Sequence, residues 1–271
     1  MEFRRITMDE LYYIPSLCLW GVNRNRREAM KEHMENRLRW LEKMMPQGLE
    51  IIIALGPRKG KKGLLEYIPI DFAPEPVKGE SSLFINCIWI LPPFWKTGLA
   101  RELMQRFLVE AKKYGGATVL AYEGDPISFF GFFDYMPTSF FKRFGFEEVS
   151  RDGARVLLHL DLGMHKLPML LPPKKQMISG EGRMVLDVFC NSQCPWCGWM
   201  ADKIQRNVRR FTRKYSSVTV NVINTDRRDL IEEHGMSRGI CINGEPVIKR
   251  MVSWKEVKSA LDGYIERNVH D

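Results

Sequence analysis

The chain has no stretch near the roughly 20 consecutive apolar residues that a membrane-spanning helix needs. Its most aromatic segment, Ser128 to Tyr135, is short and broken by Gly131 and Asp134. No membrane-spanning helix is therefore expected. Nor does an apolar signal region follow Met1-Glu2-Phe3-Arg4-Arg5, which leads directly into Asp9 and Glu10; a cytoplasmic protein without a membrane partner is expected. Cysteine is scarce, with six in 271 residues at positions 18, 87, 190, 194, 197 and 241. Three crowd one turn and the others are scattered, which excludes a secreted disulfide framework. Internal repeats and low-complexity tracts are absent as well.

Concentrated basic charge is also missing. The net charge of +8 is spread as about +2 over residues 1–163, about +3 over 164–183 and about +3 over 184–271. No segment interleaves a basic stripe with aromatics, as single-strand binders do, so nucleic acid is not an expected partner. A diffuse excess suits a solvated surface that also attracts a phosphorylated cofactor.

The composition, 45% hydrophobic and 27% charged, is that of a soluble globular protein. A length of 271 residues suggests two domains. Residues 164–183 carry prolines, glycines and lysines without periodicity, among them Pro168, Pro172-Pro173-Lys174-Lys175 and Gly180-Glu181-Gly182. That composition reads as a linker between domains at 1–163 and 184–271. In the first, Phe3 to Ile6, Glu50 to Ala54, Leu64 to Ile68, Leu83 to Ile90 and Thr118 to Tyr122 read as strands. Met30, Met34, Leu38 and Leu41 mark one helix face, and Leu99, Leu103, Phe107 and Ala111 another. A further helix ends near Lys142, and a strand follows Phe146. Leu83 to Ile90 is almost continuously apolar, so it should be covered on both faces. The fold class expected is α/β (α+β), with an N-terminal mixed sheet and helices and a C-terminal βαβαββα domain.

The loop Ile90-Leu91-Pro92-Pro93-Phe94-Trp95-Lys96-Thr97-Gly98-Leu99-Ala100-Arg101 joins the buried strand to its helix. Small residues at 98 and 100 allow close approach of the backbone to a ligand, and the N–H groups of the next helix can hold a pyrophosphate. Lys96 and Arg101 would add charge-assisted contacts. This strand-Pro-loop-G-x-A-helix order, with Phe144-Gly145-Phe146 further on, resembles the acetyl-CoA-binding pattern of the GNAT acyltransferases. Trp95 stands where that pattern has Arg or Gln, and Phe141 where many members have a proton-donating tyrosine; Tyr135 is a substitute candidate. The resemblance implies acetyl-CoA, or another acyl-CoA, as cofactor. It would be bound by Ile88, Trp89, Ile90, Lys96, Thr97, Gly98, Leu99, Ala100 and Arg101. Glu66 and Glu123 are the candidates to take a proton from an amine substrate, and each also reads as a hydrated strand-end charge.

Cys194-Pro195-Trp196-Cys197 sits where the strand Met184 to Phe189 hands over to a helix whose face is Met200, Ile204, Val208 and Phe211. Pro195 suits the first helical turn. Cys194 then lies at the positive end of a helix dipole, which favours a thiolate. Cys194 and Cys197 therefore read as a nucleophilic and a resolving thiol. Ser253 and Glu256 spell a capping box before a last helix. The whole pattern resembles the thioredoxin/glutaredoxin fold, with Arg238 or Gly239 where that fold normally carries a proline facing the dithiol. Arg238 is a candidate to stabilise the Cys194 thiolate. Cys190, Cys194, Cys197 and Cys241 also form a possible metal or cluster ligand set, although no second C-x-x-C is present; no metal site is expected.

Gly63-Leu64-Leu65-Glu66-Tyr67-Ile68-Pro69-Ile70, Leu83-Phe84-Ile85-Asn86-Cys87 and Phe133-Asp134-Tyr135-Met136-Pro137 further resemble segments of the YoaP-like acetyltransferase group. The function expected is an acyl-CoA-dependent N-acetyltransferase with an attached thiol–disulfide domain, acting on a small-molecule amine or thiol-bearing substrate or on a protein thiol partner. Two alternatives stand beside it: a thiol–disulfide oxidoreductase whose first domain only binds CoA or a partner, and a metal-binding interaction protein.

Overall fold

A computed structural model describes residues 1–123, 136–163, 165–175, 184–211, 215 and 218–268. It contains two compact units. Of the described residues, the first holds 1–73, 77–123, 136–163 and 165–170; the second holds Pro74–Pro76, 171–175, 184–211, 215 and 218–268.

In the first unit β1 (Glu2–Arg5) precedes α1 (Ile14–Cys18), α2 (Arg24–Ala29) and α3 (Lys31–Met44). Then come β2 (Glu50–Leu55), β3 (Lys61–Pro69), β4 (Val77–Lys78), β5 (Leu83–Ile90) and α4 (Leu99–Tyr114). The unit finishes with β6 (Gly116–Tyr122), α5 (Thr138–Lys142), β7 (Glu147–Asp152), β8 (Arg155–Asp161) and β9 (Met169–Leu170). Seven strands form one sheet in the order β1-β2-β3-β5-β6-β8-β7, and β4 pairs with β9 separately. Residues 169 and 170, placed in a linker by composition, are thus strand residues, because Val77 and Lys78 supply a partner edge. In the apolar cluster of the core, Ile51, Ile53, Leu64, Ile68 and Phe84 of the sheet pack with Ile14 and Leu17 of α1 and Trp40 and Leu41 of α3.

One pairing positions the site. All of the sheet is antiparallel except β5 with β6, which run parallel. Their register covers only Leu83↔Ala117, Phe84↔Thr118 and Ile85↔Val119. β6 continues against β8 as far as Tyr122↔Arg155, whereas β5 continues against β3 as far as Ile90↔Gly63. The two parallel strands therefore part after Ile85. The apolar run at 83–90 predicted full cover, but Cys87, Ile88 and Trp89 are half-buried, since β6 has turned away beside them.

In the second unit β10 (Met184–Cys190), α6 (Pro195–Arg210), β11 (Val218–Asn224) and α7 (Arg228–His234) are followed by β12 (Gly239–Ile242), β13 (Glu245–Ile248) and α8 (Trp254–Asn268). The sheet order is β11-β10-β12-β13, with β10 and β11 parallel and the other pairs antiparallel. The Ser253–Glu256 capping box is formed: Ser253 N–H donates to Glu256 Oε2 at 2.8 Å and Glu256 N–H to Ser253 Oγ at 3.4 Å. Among the described residues no helix is long and apolar enough to cross a membrane.

Candidate functional sites

In the first unit a cavity of about 990 Å³ opens at the N-terminus of α4. Ile90 and residues 94–101 line it, joined by Gln105, Phe140, Arg143 and Phe144. Gly98 is the N-cap of α4 with φ +85° and ψ −4°, a conformation that costs an L-residue about 1–2 kcal/mol. The first N–H groups of an α-helix lack intrahelical acceptors and carry the positive end of its dipole. Lys96, Arg101 and Arg143 add three cations to this end, and among the described residues none of them faces a carboxylate within 4 Å. Phe140 and Phe144, one helical turn apart, have ring centroids 5.2 Å apart, and the Arg143 guanidinium lies 5.7 Å from the Phe140 centroid. Volume, cation count and helix end together suit an extended polyphosphate ligand.

Of the residues expected to hold the cofactor, Ile90, Lys96, Thr97, Gly98, Leu99, Ala100 and Arg101 line this cavity, and Ile88 and Trp89 do not. Trp89 instead donates its indole N–H to Leu17 O at 3.1 Å. Trp95 donates its own to Ile90 O at 2.7 Å, so one lone pair of the carbonyl at the end of β5 is already engaged. Gln105, Phe140, Arg143 and Phe144 were missed. Phe140, Arg143 and Phe144 have helical spacing, but they lie some forty residues beyond the loop, and nothing local says which face they meet. Tyr135 lies outside the described residues.

The two carboxylate candidates are both engaged. Glu66 is not a strand-end charge: it is fully buried, bonded by both terminal nitrogens of Arg37 from α3, with Asn86 Nδ2 donating to Oε1 at 3.2 Å. Burial opposes the Arg37 charge, yet Glu66 outweighs it and holds the guanidinium well above its usual value. Glu123 is 43% exposed and bridged to Arg151. Hydrogen bonds from Arg151 first, and Thr138 second, pull its carboxyl below the ordinary range, which weakens it as a base.

In the second unit Cys194 is the N-cap of α6, Pro195 opens the helix, and Cys197 occupies its first turn, where its N–H donates to Cys194 O at 3.0 Å. Asp226 fixes the preceding loop by accepting from Ser192 N–H at 2.6 Å and Ser192 Oγ at 2.7 Å. Cys197 is 4% exposed. Burial pushes its thiol up to about 11, against the opposing charge of Arg238 and a hydrogen bond from the Asn191 backbone. Burial raises the Cys190 thiol further, with Cys197, Asp226 and Asp202 adding to it. Burial also takes Cys241 to about 12, and its sulfur rests 3.8 Å from Met236 Sδ. Among the described residues no three His, Cys, Asp or Glu groups are placed to hold a metal ion. Gly239 stands next to Arg238 with φ +132°, and a Cβ there would lie 2.0 Å from Ile248 O, so only glycine fits.

No protein-family model matches the chain. One curated relative, described as the uncharacterized N-acetyltransferase YoaP of Bacillus subtilis (strain 168), is 32% identical over 85 residues. That match spans 31% of this chain and 33% of the relative, so it covers about a third of the relative's length. Among solved structures, the PaiA N-acetyltransferase of Thermoplasma acidophilum in complex with coenzyme A overlaps 59% of this chain and 99% of its own, at 13% identity and a TM-score of 0.41. The GNAT-family N-acetyltransferase YhbS of Escherichia coli in complex with CoA overlaps 60% and 81%, at 12% identity and a TM-score of 0.41. Overlap this loose fixes no correspondence of individual residues.

Proposed function

We propose that the first unit binds an acyl-CoA in the cavity at the N-terminus of α4 and passes the acyl group to an amine. The observation that carries this reading is the convergence of Lys96, Arg101 and Arg143 on the helix end capped by Gly98. A polyphosphate seated there would be held by backbone N–H groups and by three cations. The parting of β5 from β6 supports the rest: beyond Ile85 the β6-facing edge of β5 has left its ladder, which gives an extended amide-bearing arm a strand to lie along. The thioester supplies the activated acyl group. The 32% identity to a protein described as an N-acetyltransferase favours this chemistry over other uses of a polyphosphate pocket.

Neither carboxylate candidate is an open base. Glu66 neutralises Arg37, and Glu123 is drawn down by Arg151. The amine therefore gives up its proton to water rather than to either side chain. Turnover in this reading rises with pH as more amine is neutral.

The second unit, in the same proposal, is a thiol–disulfide module built on Cys194 and Cys197. Its support is the placement of Cys194 at a helix N-terminus with a buried thiol one turn along, the arrangement in which an exposed thiolate attacks and a second thiol resolves. Isothermal titration with CoA, then mass spectrometry of amine mixtures incubated with acetyl-CoA, tests the first part. Binding with acyl transfer supports the acyltransferase. Binding without transfer, together with dithiol-dependent disulfide reduction, favours an oxidoreductase with a CoA-sensing first unit. Absence of CoA binding at millimolar concentration removes the reading.

A further inference from the structure

Against the loop that leads into the dithiol lies a buried polar cluster that thiol exchange by itself does not require. Arg238 is 3% exposed and places Nη2 2.8 Å from Glu75 Oε1. The same nitrogen donates to Gln193 Oε1 at 3.3 Å and, more weakly, to Asn191 Oδ1 at 3.4 Å. Ser237 Oγ donates to the other oxygen of Glu75. Asn191 donates Nδ2 to Pro74 O at 3.0 Å, and both Asn191 and Gln193 lie in the short loop between β10 and Cys194. A chain of contacts thus runs from Glu75 through Arg238 to Asn191 and Gln193, on the loop that leads into the dithiol. All of it belongs to the second unit, although Glu75 is supplied by the three-residue stretch Pro74–Pro76, far in sequence from the rest.

Two physical effects act against each other here. A guanidinium in a poorly solvated place near a sulfur favours the thiolate. A carboxylate bonded to that guanidinium makes its burial tolerable, and at the same moment cancels much of its field at the sulfur.

We propose that Glu75 and Arg238 act as a charge control on the dithiol, with Arg238 stabilising a thiolate at Cys197 and Glu75 holding that stabilisation back. Both are positioning residues, since neither touches a reacting substrate. The inference rests on the thiol–disulfide reading of the second unit. The charged and titratable groups that bear on Cys197 include Arg238, Cys194 and Glu75; the Cys190 thiol interacts with Cys197 as well, and Asp226 and Asp202 bear on Cys190. Reduction of a Cys194–Cys197 disulfide by glutathione breaks one S–S bond and forms another. Two glutathione thiols give up two electrons and two protons and leave as glutathione disulfide, while the protein gains two thiols. A thiol that ionises more readily releases its proton to solvent and draws this equilibrium toward the reduced protein.

The sign of the effect is what separates charge control from a scaffold role. In full-length protein carrying C194S, alkylation of Cys197 is followed by peptide mass spectrometry across pH. Glu75→Gln keeps an acceptor for Ser237 but removes the carboxylate bonded to Arg238, so the Cys197 midpoint should fall by about one unit, roughly tenfold in thiolate. Arg238→Gln should raise it, and Arg238→Lys, which keeps the charge, should stay near the parent. Should Arg238→Gln fail to fold, Glu75→Gln and Arg238→Lys decide the matter. A midpoint that moves the same way in Glu75→Gln and Arg238→Gln, or in neither, overturns the inference. With Cys194 intact, equilibration in glutathione buffers should shift roughly tenfold toward the dithiol in Glu75→Gln and toward the disulfide in Arg238→Gln. A dithiol that stays reduced in pure glutathione disulfide removes the redox reading alone, and the Cys197 midpoints still judge the ion pair.

Discussion

Glu66→Gln should damage the protein through Arg37 rather than through catalysis. Arg37 is 2% exposed and Glu66 fully buried, so the substitution removes the counter-charge of a guanidinium that has no access to bulk water. Breaking one partner of a buried pair costs about 3–5 kcal/mol. Glutamine still offers an oxygen, and Asn86 stays close by, which places the expected loss near the lower end, about 3 kcal/mol. That is a factor of roughly one hundred in the unfolding equilibrium, and with a urea slope of about 1–3 kcal/mol per molar it lowers the midpoint by about 1–3 M. Urea unfolding with hydrogen exchange read at β3 and α3 amides assigns the loss to the first unit. The double variant Arg37→Met, Glu66→Leu removes both charges and keeps volume, and should recover to within about 1 kcal/mol of the parent, as apolar replacements of buried pairs commonly do. A loss under about 1 kcal/mol in Glu66→Gln, or a double variant as unstable as the single, would refute the reasoning.

Three further outcomes follow from other parts of the molecule. If CoA is seated as proposed, Lys96→Met, Arg101→Met and Arg143→Met should each weaken its binding about five- to tenfold at low salt, with smaller losses at high salt, since each would remove one charge–phosphate contact; titration calorimetry at two ionic strengths checks this. Gly98→Ala should cost about 1–2 kcal/mol in stability with no steric clash, because its φ is +85° and nothing lies within 4 Å of an added Cβ; the midpoint of urea unfolding reports it. Asp161, whose carboxyl is drawn down to about 2 by the Gly163 and His165 N–H groups, contributes stability that is fully present above its unfolded value of about 3.9 and fades as pH falls through about 2. Asp161→Asn should flatten that part of an acid-unfolding curve and lower stability at pH 7, where the contribution it removes is fully present.

Local features were legible because local physics makes them. The run from Leu83 to Ile90 is found as β5, and the four-residue spacing of Leu99, Leu103, Phe107 and Ala111 as the buried face of α4. Cys194 caps α6, and the Ser253–Glu256 box closes as its spacing requires. Each of these depends on residues within one or two turns of each other. The loop 90–101 belongs to the same class, since strand, turn and helix end follow one another along the chain.

What the sequence by itself determined, then, is where strands and helices form and where two helix N-termini meet chemistry-bearing residues. What only the tertiary structure decided is who stands opposite whom. Arg37 and Glu66 are 29 positions apart and meet because α3 packs on β3. Phe140, Arg143 and Phe144 reach the α4 cavity from another element, and Glu75 reaches Arg238 across more than 160 positions. Hydrophobic periodicity says which face of an element is buried, but burial is non-directional. The choice of partner for a buried charge is made by packing, once the chain has brought distant segments into reach.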